Sequence, residues 1–500
     1  MSFLIDKKMK VLFFNPANYL EIGIPQGIAI LSAILKKEGH QIELFDTTFL
    51  KRKNYRQEQE GAMAGPTIYK KTLYTLEDLV KDDPAVNIEE KFQKKIDNFK
   101  PDLIAVSVMT TNYDFAIQQL KKVKVKCPII FGGIHPTISP EEVISEKIID
   151  MICIGEGEDA LLELCKTMES GSDYRNIRNL WVKFKDGKIY KNSIRPFVNL
   201  DTLPCPDWSI FDSRHLYRPF VGKIYKGGLY ISSRGCPCGC TYCVNRTLRE
   251  MFKECGRYFR YQKPETTATH LTELKKKYGA TWFKFVDDTF LLQPLQNLKG
   301  LSDRLKPLKI MFGCSVRPDT VTEEKVKLAK EMGCVAMSIG IETGNEEIRR
   351  KVLNRQISNQ QIEKAFKIIN DYDIRISTFN LIGLPGETRE NVFETIELNR
   401  KLNAKSANAY IVYPFPGSQI FIQNNIKYKR KSGKIIPMSE ASVFHLSKMT
   451  PKEVEGLKKT FNLYLCLPKQ LWPIIKLSEG EGNQNKIIYQ ALNEFTSIIV

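Results

Sequence analysis

The sequence predicts an α/β protein that contains two successive parallel sheets and ends in a helical region. Two series of short apolar runs alternate with stretches of helical periodicity, which is the pattern of strand–helix–strand units. A proline-rich stretch separates the two series, so we assign them to different domains. The expected fold class is therefore a doubly wound, Rossmann-like N-terminal domain followed by a partial (βα)6 TIM-type barrel. The length of 500 residues agrees with more than one core.

The first series predicts the doubly wound sheet, which we assign to residues 1–177. Its strands are expected at residues 9–16, 41–46, 102–108, 128–133 and 150–155. Its helices are expected at residues 27–38, 113–124, 140–147 and 158–168. The polar interval 51–85 is expected to be a long insertion or a flexible loop. A doubly wound sheet binds its ligand at the carboxyl ends of the strands.

Residues 178–222 are predicted to form a hairpin and a linker. Asp186 and Gly187 lie between two runs of alternating hydrophobicity, which is a β-hairpin signal. Prolines follow at positions 196, 204 and 206. This change of character places a domain boundary here.

The second series predicts the barrel, over residues 223–424. Its six strands are expected at residues 229–235, 282–288, 310–316, 336–343, 374–383 and 407–414. Helices are expected at residues 264–278, 293–305, 322–332, 345–353, 359–371 and 388–402. Residues 425–500 are expected to be mainly helical. In such barrels, the chemistry takes place where strands end and loops begin.

Four of the twelve cysteines lie within eight residues, directly after the first barrel strand. Cys236, Cys240 and Cys243 have the spacing C-x-x-x-C-x-x-C. Three thiolates on one short loop can hold three irons of a [4Fe–4S] cubane and leave the fourth iron open. This spacing makes the three cysteines the predicted catalytic and metal-binding residues.

Zinc is the alternative metal, because Cys238 would complete a set of four thiolates. Cysteines so close together form an awkward zinc knuckle, and no second C-x-x-C pair follows. We therefore expect Cys238 to be a bystander. A thiolate of Cys238 on the fourth iron would block the open position.

The cysteine spacing, with Tyr242 just before the last cysteine, resembles the signature of the radical S-adenosylmethionine (SAM) superfamily. The resemblance implies that the open iron binds the amine and carboxylate of SAM. One electron from the cluster then cleaves SAM and yields a 5′-deoxyadenosyl radical. It also implies that the backbone of Tyr242 lies near the SAM adenine.

The resemblance continues along residues 228–420. It implies that the carboxylates of Asp287 and Asp288 face the SAM amino group, although they are also suited to cap the following helix. It makes Arg317 a partner for the SAM carboxylate or for a substrate acid, although a surface ion pair would equally explain this residue.

Two later strand ends fit the same pattern. Glu342 and Thr343 are expected to hydrogen-bond the SAM ribose. Gly383 and Gly386 permit close approach of the backbone to the adenine. Each glycine run alone would also suit an ordinary turn, but both follow successive strands in the order of the family.

The N-terminal motifs NPANYLEIGIPQGIAILSAIL, SVMTTN, GGIHPTISPEE and IGEGEDALLEL resemble the cobalamin-binding domain of cobalamin-dependent radical SAM enzymes. The residues implied in cobalamin binding are Gln26, Gly27, Thr110, Gly132, Gly133, His135, Gly155, Glu156 and Gly157. No Asp-x-His-x-x-Gly motif follows the first strand, so the resemblance implies cobalt without a protein histidine on its lower face. His135 would lie nearer the corrin or the nucleotide tail. The alternative is a domain that has lost its ligand or binds another nucleotide.

The resemblance implies a methyltransferase that uses the cluster, SAM and cobalamin to methylate an unactivated carbon. Three alternatives stay open: a cobalamin-linked radical cyclase or rearrangement enzyme, a methylthiotransferase acting on RNA, and a non-enzymatic zinc or cobalamin sensor. The expected partners are a small-molecule or peptide substrate and an external one-electron reductant such as flavodoxin or ferredoxin.

The net charge is +18, but lysines are spread along the whole chain without a basic tail. This distribution does not favour nucleic-acid binding. No stretch approaches the roughly 20 apolar residues that span a bilayer. We therefore expect a cytoplasmic protein with no membrane span.

Overall fold

The computed structural model describes residues 8–51, 85–184, 186–404, 406–426 and 438–499. The predicted insertion at 51–85 lies outside these ranges except for its two end residues. Among the described helices, none is both long and apolar enough to cross a membrane.

The first sheet has seven strands in the order β2-β1-β3-β4-β5-β6-β7. The strands β1 to β5 are parallel, and β6 and β7 are antiparallel additions. The strands are β1 Lys10–Asn15, β2 Gln41–Asp46, β3 Leu103–Ser107, β4 Ile129–Gly132, β5 Met151–Cys153, β6 Leu180–Lys183 and β7 Ile189–Lys191. The helices are Gln26–Lys37, Ile88–Phe99, Thr110–Leu120, Ile134–Ile138, Pro140–Ser145 and Glu158–Glu169.

Helices cover both faces of this sheet, as the alternation of β1 shows. Val11 and Phe13 pack in one apolar cluster with residues of helices 26–37 and 158–169. Leu12 and Phe14 pack in a second cluster with helices 88–99 and 110–120. Successive residues of a strand point to opposite faces, so the predicted doubly wound arrangement is confirmed.

The predicted hairpin forms, but it belongs to the first sheet. Its strand β6 pairs with β5 in antiparallel register, and β7 pairs with β6. The hairpin therefore extends the first sheet past the limit that we placed at residue 177. The domain limits stay a prediction.

The second sheet has the order β16-β15-β14-β13-β12-β9-β8, and all its neighbours are parallel except β8 and β9. Its six parallel strands form a half-open barrel, which confirms the predicted (βα)6 architecture. The strands are β8 Tyr217–Phe220, β9 Lys223–Tyr230, β12 Trp282–Phe285, β13 Met311–Val316, β14 Cys334–Glu342, β15 Arg375–Ile382 and β16 Ser406–Ile411. A separate two-stranded ribbon consists of β10 Ser233–Arg234 and β11 Arg260–Tyr261.

Helices alternate with the barrel strands, as predicted. They are Asn245–Met251, Pro264–Tyr278, Leu295–Leu305, Glu323–Glu331, Asn359–Asp371, Arg389–Lys401 and Gln419–Gln423. The helix predicted at 345–353 is instead a π-helical turn over Ile348–Val352.

Three helices end the chain: Pro451–Cys466, Trp472–Ser478 and Asn483–Ile499. They pack against the last barrel strands through a cluster that includes Ile396, Ile411, Leu457 and Phe461. The segment before them also reaches the barrel, where the backbone N–H of Lys448 donates to the carbonyl of Glu387 at 2.9 Å. The helical C-terminal region therefore supports the far edge of the barrel.

Candidate active site

The cysteine loop follows β9 and β10 at the carboxyl end of the barrel. Cys236 and Cys240 are buried, whereas Cys238 and Cys243 are partly exposed. The Cys238 and Cys236 thiols share a hydrogen bond, which lowers the pKa of Cys238. Cys238 thus lies against a predicted cluster ligand, and its role as a bystander stays a prediction.

Two arginines contact the Cys240 thiol. Arg317 Nη1 donates to Sγ at 3.2 Å, and Arg355 Nη1 lies 3.9 Å from it. Arg317 is also held by both carboxylate oxygens of Asp319, at 3.0 and 2.9 Å. Arg317 was expected beside the SAM carboxylate or a substrate acid, and the structure adds this contact with Cys240, a predicted cluster ligand. Positive charge beside the sulfur favours a thiolate and a reduced cluster.

Cys243 has a different neighbour. The backbone N–H and the side-chain amide of Asn245 both lie 3.5 Å from its sulfur. The same amide donates to Asp288 at 2.9 Å, and Tyr258 donates to the amide oxygen at 2.7 Å. Asp288 is exposed, and Asn245 connects it to Cys243.

The described residues do not contain three His, Cys, Asp or Glu side chains that converge on one metal ion. In a cubane each cysteine binds a different iron, and hydrogen bonds to the sulfurs tune the cluster. The contacts of Arg317 with Cys240 and of Asn245 with Cys243 fit such a cluster.

Asp287 lies on the other side of the strand end and is buried. The hydroxyls of Ser232 and Ser233 both donate to its carboxylate, the former at 2.8 Å. Burial raises the pKa of Asp287 to about 6. In this structure Asp287 holds the start of the cysteine loop, and contact with the SAM amino group stays a prediction.

Tyr242, Glu342 and Arg355 form one buried polar group. The Tyr242 hydroxyl donates to Glu342 Oε1 at 2.8 Å and accepts from Arg355 Nη1 at 3.0 Å. Arg355 Nη1 lies 3.3 Å from the Glu342 carboxylate. Glu342 has a φ of +67°, at an irregularity in the pairing of β14 and β15. This left-handed backbone turns the carboxylate toward the cysteine loop.

The other two strand ends adopt the expected turns. Gly383 and Gly386 have φ values of +79° and +74°, which glycine adopts readily. Glu387 accepts from the backbone N–H groups of Gly383 and Leu384, at 2.7 and 3.1 Å. Thr343 is fully buried, and its hydroxyl lies 3.3 Å from that of Thr395. Its contact with the ribose therefore stays a prediction.

A cavity of about 280 Å³ lies at the carboxyl ends of β1, β3, β4 and β5. Seven of the nine predicted cobalamin-binding residues line it: Gln26, Gly27, Gly132, Gly133, Gly155, Glu156 and Gly157. A Cβ atom at Gly27 would meet no heavy atom within 4 Å. Gln26 Oε1 is buried and has no hydrogen-bond partner among the described residues. Open space at Gly27 and an unsatisfied acceptor at Gln26 both fit a bound ligand.

Thr110 and His135 lie behind this cavity rather than in its wall. His135 is fully buried, and its Nδ1 lies 3.1 Å from the Thr110 hydroxyl. The ring of Tyr113 packs against the imidazole at 4.4 Å between centroids. The structure thus places these two residues in the support of the Gly132–Gly133 turn, and contact with the corrin or its tail stays a prediction.

The two domains meet at Glu156. Arg234 and Arg260 of the β10–β11 ribbon donate to Glu156 Oε1, at 2.8 and 2.7 Å. Burial alone would raise the pKa of Glu156, but the two guanidinium groups hold it below its usual value. Arg234 also pairs with Glu158 at 2.5 Å. The glycine-rich loop of the first domain is thereby fixed to the ribbon that precedes Cys236.

Sequence reasoning missed four of these residues: Arg234, Asn245, Arg260 and Arg355. Asn245 lies two residues after Cys243, so its proximity was a usable signal. Arg355 lies 115 residues after Cys240 and follows a π-helical turn, and no motif in the sequence connects the two.

The three-cysteine loop lies on a partial barrel, and the glycine-lined cavity lies in the doubly wound domain. This combination is typical of an enzyme with two cofactors, one of them an iron–sulfur cluster. Known proteins identify both parts. The radical SAM superfamily matches residues 230–398, and the B12 binding domain matches residues 72–165. The chain is therefore a radical SAM enzyme with a cobalamin-binding domain, and the prediction of a [4Fe–4S] cluster, SAM and cobalamin as its cofactors is confirmed.

Three of the proteins that resemble the chain show what it is similar to. An uncharacterized methyltransferase of Pyrococcus horikoshii, PH0819, is 27% identical over 483 residues, which are 93% of this chain and 94% of that protein. The anaerobic magnesium-protoporphyrin IX monomethyl ester cyclase of Rubrivivax gelatinosus is 25% identical over 345 residues, 67% of this chain and 60% of the cyclase. The radical SAM methyltransferase TsrM of Kitasatospora setae, solved with cobalamin and a [4Fe–4S] cluster, has a TM-score of 0.65 at 15% identity and covers 98% of this chain and 100% of its own. TsrM shows that the fold is shared.

Proposed function

We propose that this enzyme is a cobalamin-dependent methyltransferase that methylates an unactivated carbon of its substrate. One observation carries the proposal: Ile231 and Arg234, from the segment that leads into the cysteine loop, line the glycine-rich cavity of the first domain. Arg234 precedes Cys236 by only two residues, so the two cofactor sites share a wall. The resemblance to PH0819 along almost its full length supports the same activity.

When bound, the cluster supplies the electron that cleaves SAM, and cobalamin supplies a transferable methyl group. The protein's own residues position and tune these groups. Arg317 and Arg355 place positive charge beside Cys240, and Asn245 orients Cys243. The Glu156–Arg234 pair holds the cavity wall against the cysteine loop.

The test is an anaerobic incubation of the reconstituted enzyme with cobalamin, a reductant, SAM deuterated in its methyl group and a small-molecule extract of cells. Mass spectrometry then follows 5′-deoxyadenosine and any product with a mass gain of one deuterated methyl group. Both products together support methyl transfer. If no product carries a deuterated methyl group, the proposed methyl transfer is contradicted.

A radical cyclisation is the second candidate, because the Rubrivivax gelatinosus relative is a cyclase. It would give 5′-deoxyadenosine and a product that has lost hydrogen without gaining methyl. A methylthiotransferase acting on RNA has less support, since the described elements after residue 438 are helices rather than an RNA-binding barrel. We further propose a flavodoxin or ferredoxin as the reductant, and a cytoplasmic location stays a prediction.

A further inference from the structure

The barrel strands present a packed face and an accessible face. Outward-facing residues such as Phe283, Cys314 and Ile339 are fully buried against the helices. The alternate residues face the barrel lumen, because successive side chains of a strand point to opposite sides. Several residues of this face keep partial exposure, and they include the polar Lys284, Ser315, Ser377, Asn408 and Tyr410 as well as the apolar Leu229, Ala336, Phe379 and Leu381. A closed TIM barrel fills this space with branched apolar side chains, whereas this face also carries partly exposed polar side chains.

Lys284 of β12 is the centre of a polar row across the lumen. Its Nζ donates to the Ser338 hydroxyl of β14 at 3.3 Å, and the Ser377 hydroxyl of β15 donates to the same oxygen at 2.9 Å. Along the sheet, Lys284 lies between Leu229 of β9 and Gly313 of β13, and the next residue beyond Gly313 is the small Ala336 of β14. The Lys284 ammonium and the two serine hydroxyls therefore form one hydrogen-bonded row across three strands.

The charge of Lys284 has no counter-charge among the described residues. The six parallel strands carry one acidic residue, Glu342, and this carboxylate is already bound by Tyr242 and Arg355. Burial lowers the pKa of Lys284, as expected for an ammonium group without a carboxylate partner. A buried charge of this kind is costly unless it is paired, and an anion in the lumen would pair it.

We propose that the barrel lumen binds an anionic group of the substrate, a carboxylate or a phosphate, through Lys284 with Ser338 and Ser377. That this anion belongs to the substrate rests on the proposed function. The site lies along the same strands that lead to the cysteine loop, since β13 contains Gly313 and is followed directly by Arg317, which contacts Cys240. An anion held at Lys284 would therefore anchor the substrate from below the cysteine loop.

Calorimetric titration of the reconstituted holoenzyme with inorganic phosphate and with malonate tests the site. We expect saturable binding of at least one anion, and we expect Lys284→Met to weaken it about tenfold or more, because a charged hydrogen bond is lost. Lys284→Arg retains the charge and should restore part of the affinity. Lys325→Met is the matched control, since Lys325 is also partly buried with a lowered pKa but lies on the outer helix 323–331. Thermal unfolding verifies that each variant is folded.

Three results would overturn the proposal. Lys284→Met could bind as tightly as the wild type, SAM could compete with the anion, or saturation could require molar concentrations, which would mean an adventitious ion only. Competition would place the anion in the SAM site instead of the lumen. Anion binding does not require turnover, so a failure of methyl transfer alone would contradict the proposed function but not the anion site at Lys284.

Discussion

Glu156 accepts a hydrogen bond from Arg234 at 2.8 Å and thereby joins the glycine-rich loop of the cobalamin-binding domain to the ribbon before the predicted cluster cysteines. Arg260, which also binds Glu156, is the direct cross-strand partner of Arg234. Two like charges opposite each other destabilise a ribbon, so Glu156 both neutralises β10–β11 and closes the cavity wall.

Glu156→Gln is therefore expected to weaken cobalamin binding about tenfold, because the two arginines repel each other and the loop moves away from the barrel. Titration with aquacobalamin, followed by its absorption spectrum, measures this. Glu163→Gln, which removes an exposed partner of Arg195, should leave the affinity unchanged. An unchanged affinity in Glu156→Gln would show that the pair does not position the cavity.

The arginines beside Cys240 should set the reduction potential of the cluster. A unit charge about 4 Å away contributes at least about 1 kcal/mol, or roughly 40 mV for one electron, even at the dielectric constant of water. Since reduction adds negative charge, Arg317→Gln or Arg355→Gln should lower the potential by this amount or more. Electron paramagnetic resonance during a redox titration measures the shift, and Arg350→Gln on the exposed side of the π-helical turn is the control. Equal potentials in all variants would contradict the assignment.

The parts of this molecule that follow local rules were predictable from the sequence. The strand over 41–46 and the helices over 264–278 and 359–371 match the structure because periodicity and turn residues define them locally. Long-range partners were not predictable. Arg234 reaches Glu156 from 78 residues away, and Arg355 reaches Cys240 from 115 residues away. Such contacts depend on which strands become neighbours, and a single sequence does not specify the resulting side-chain pairs.

Glu387 should make the stability of the barrel depend on pH. It is fully buried, and burial raises its pKa from 4.5 to about 8. Because the folded pKa lies above the unfolded value, this group contributes stability that is complete below pH 4.5 and is lost as the pH rises to about 8. Each pKa unit corresponds to about 1.4 kcal/mol.

Glu387→Gln should remove this contribution and make the free energy of unfolding less dependent on pH between about 5 and 8. Denaturant unfolding at a series of pH values measures the slope. Glu390→Gln, at an exposed carboxylate of the next helix, should retain the slope of the wild type. The same slope in Glu387→Gln would show that the carboxyl group does not hold a proton when the protein is folded.

We expect that the glycine-lined cavity of the first domain can be filled without damage to the fold. A side chain at Gly27 would enter open space, and replacement of glycine near the start of helix 26–37 favours the helix by up to about 1 kcal/mol. Gly27→Leu should therefore be at least as stable as the wild type and should lose cobalamin. Gly27→Ala adds a single methyl group and should retain most of the affinity. Retention of cobalamin by Gly27→Leu would place the cofactor elsewhere.

Cys238 is the cysteine whose role the fold leaves to experiment. A hydrogen bond with the Cys236 thiol lowers the pKa of Cys238, and the Cys238 sulfur therefore lies next to the predicted cluster site. If Cys236, Cys240 and Cys243 alone hold the cluster, Cys238→Ser should retain iron, sulfide and SAM cleavage, while Cys240→Ser should lose all three. If Cys238 occupied the fourth iron, Cys238→Ser would open that iron and SAM cleavage would increase. Iron and sulfide content together with 5′-deoxyadenosine formation distinguish the two cases, because only an open iron can bind the amine and carboxylate of SAM.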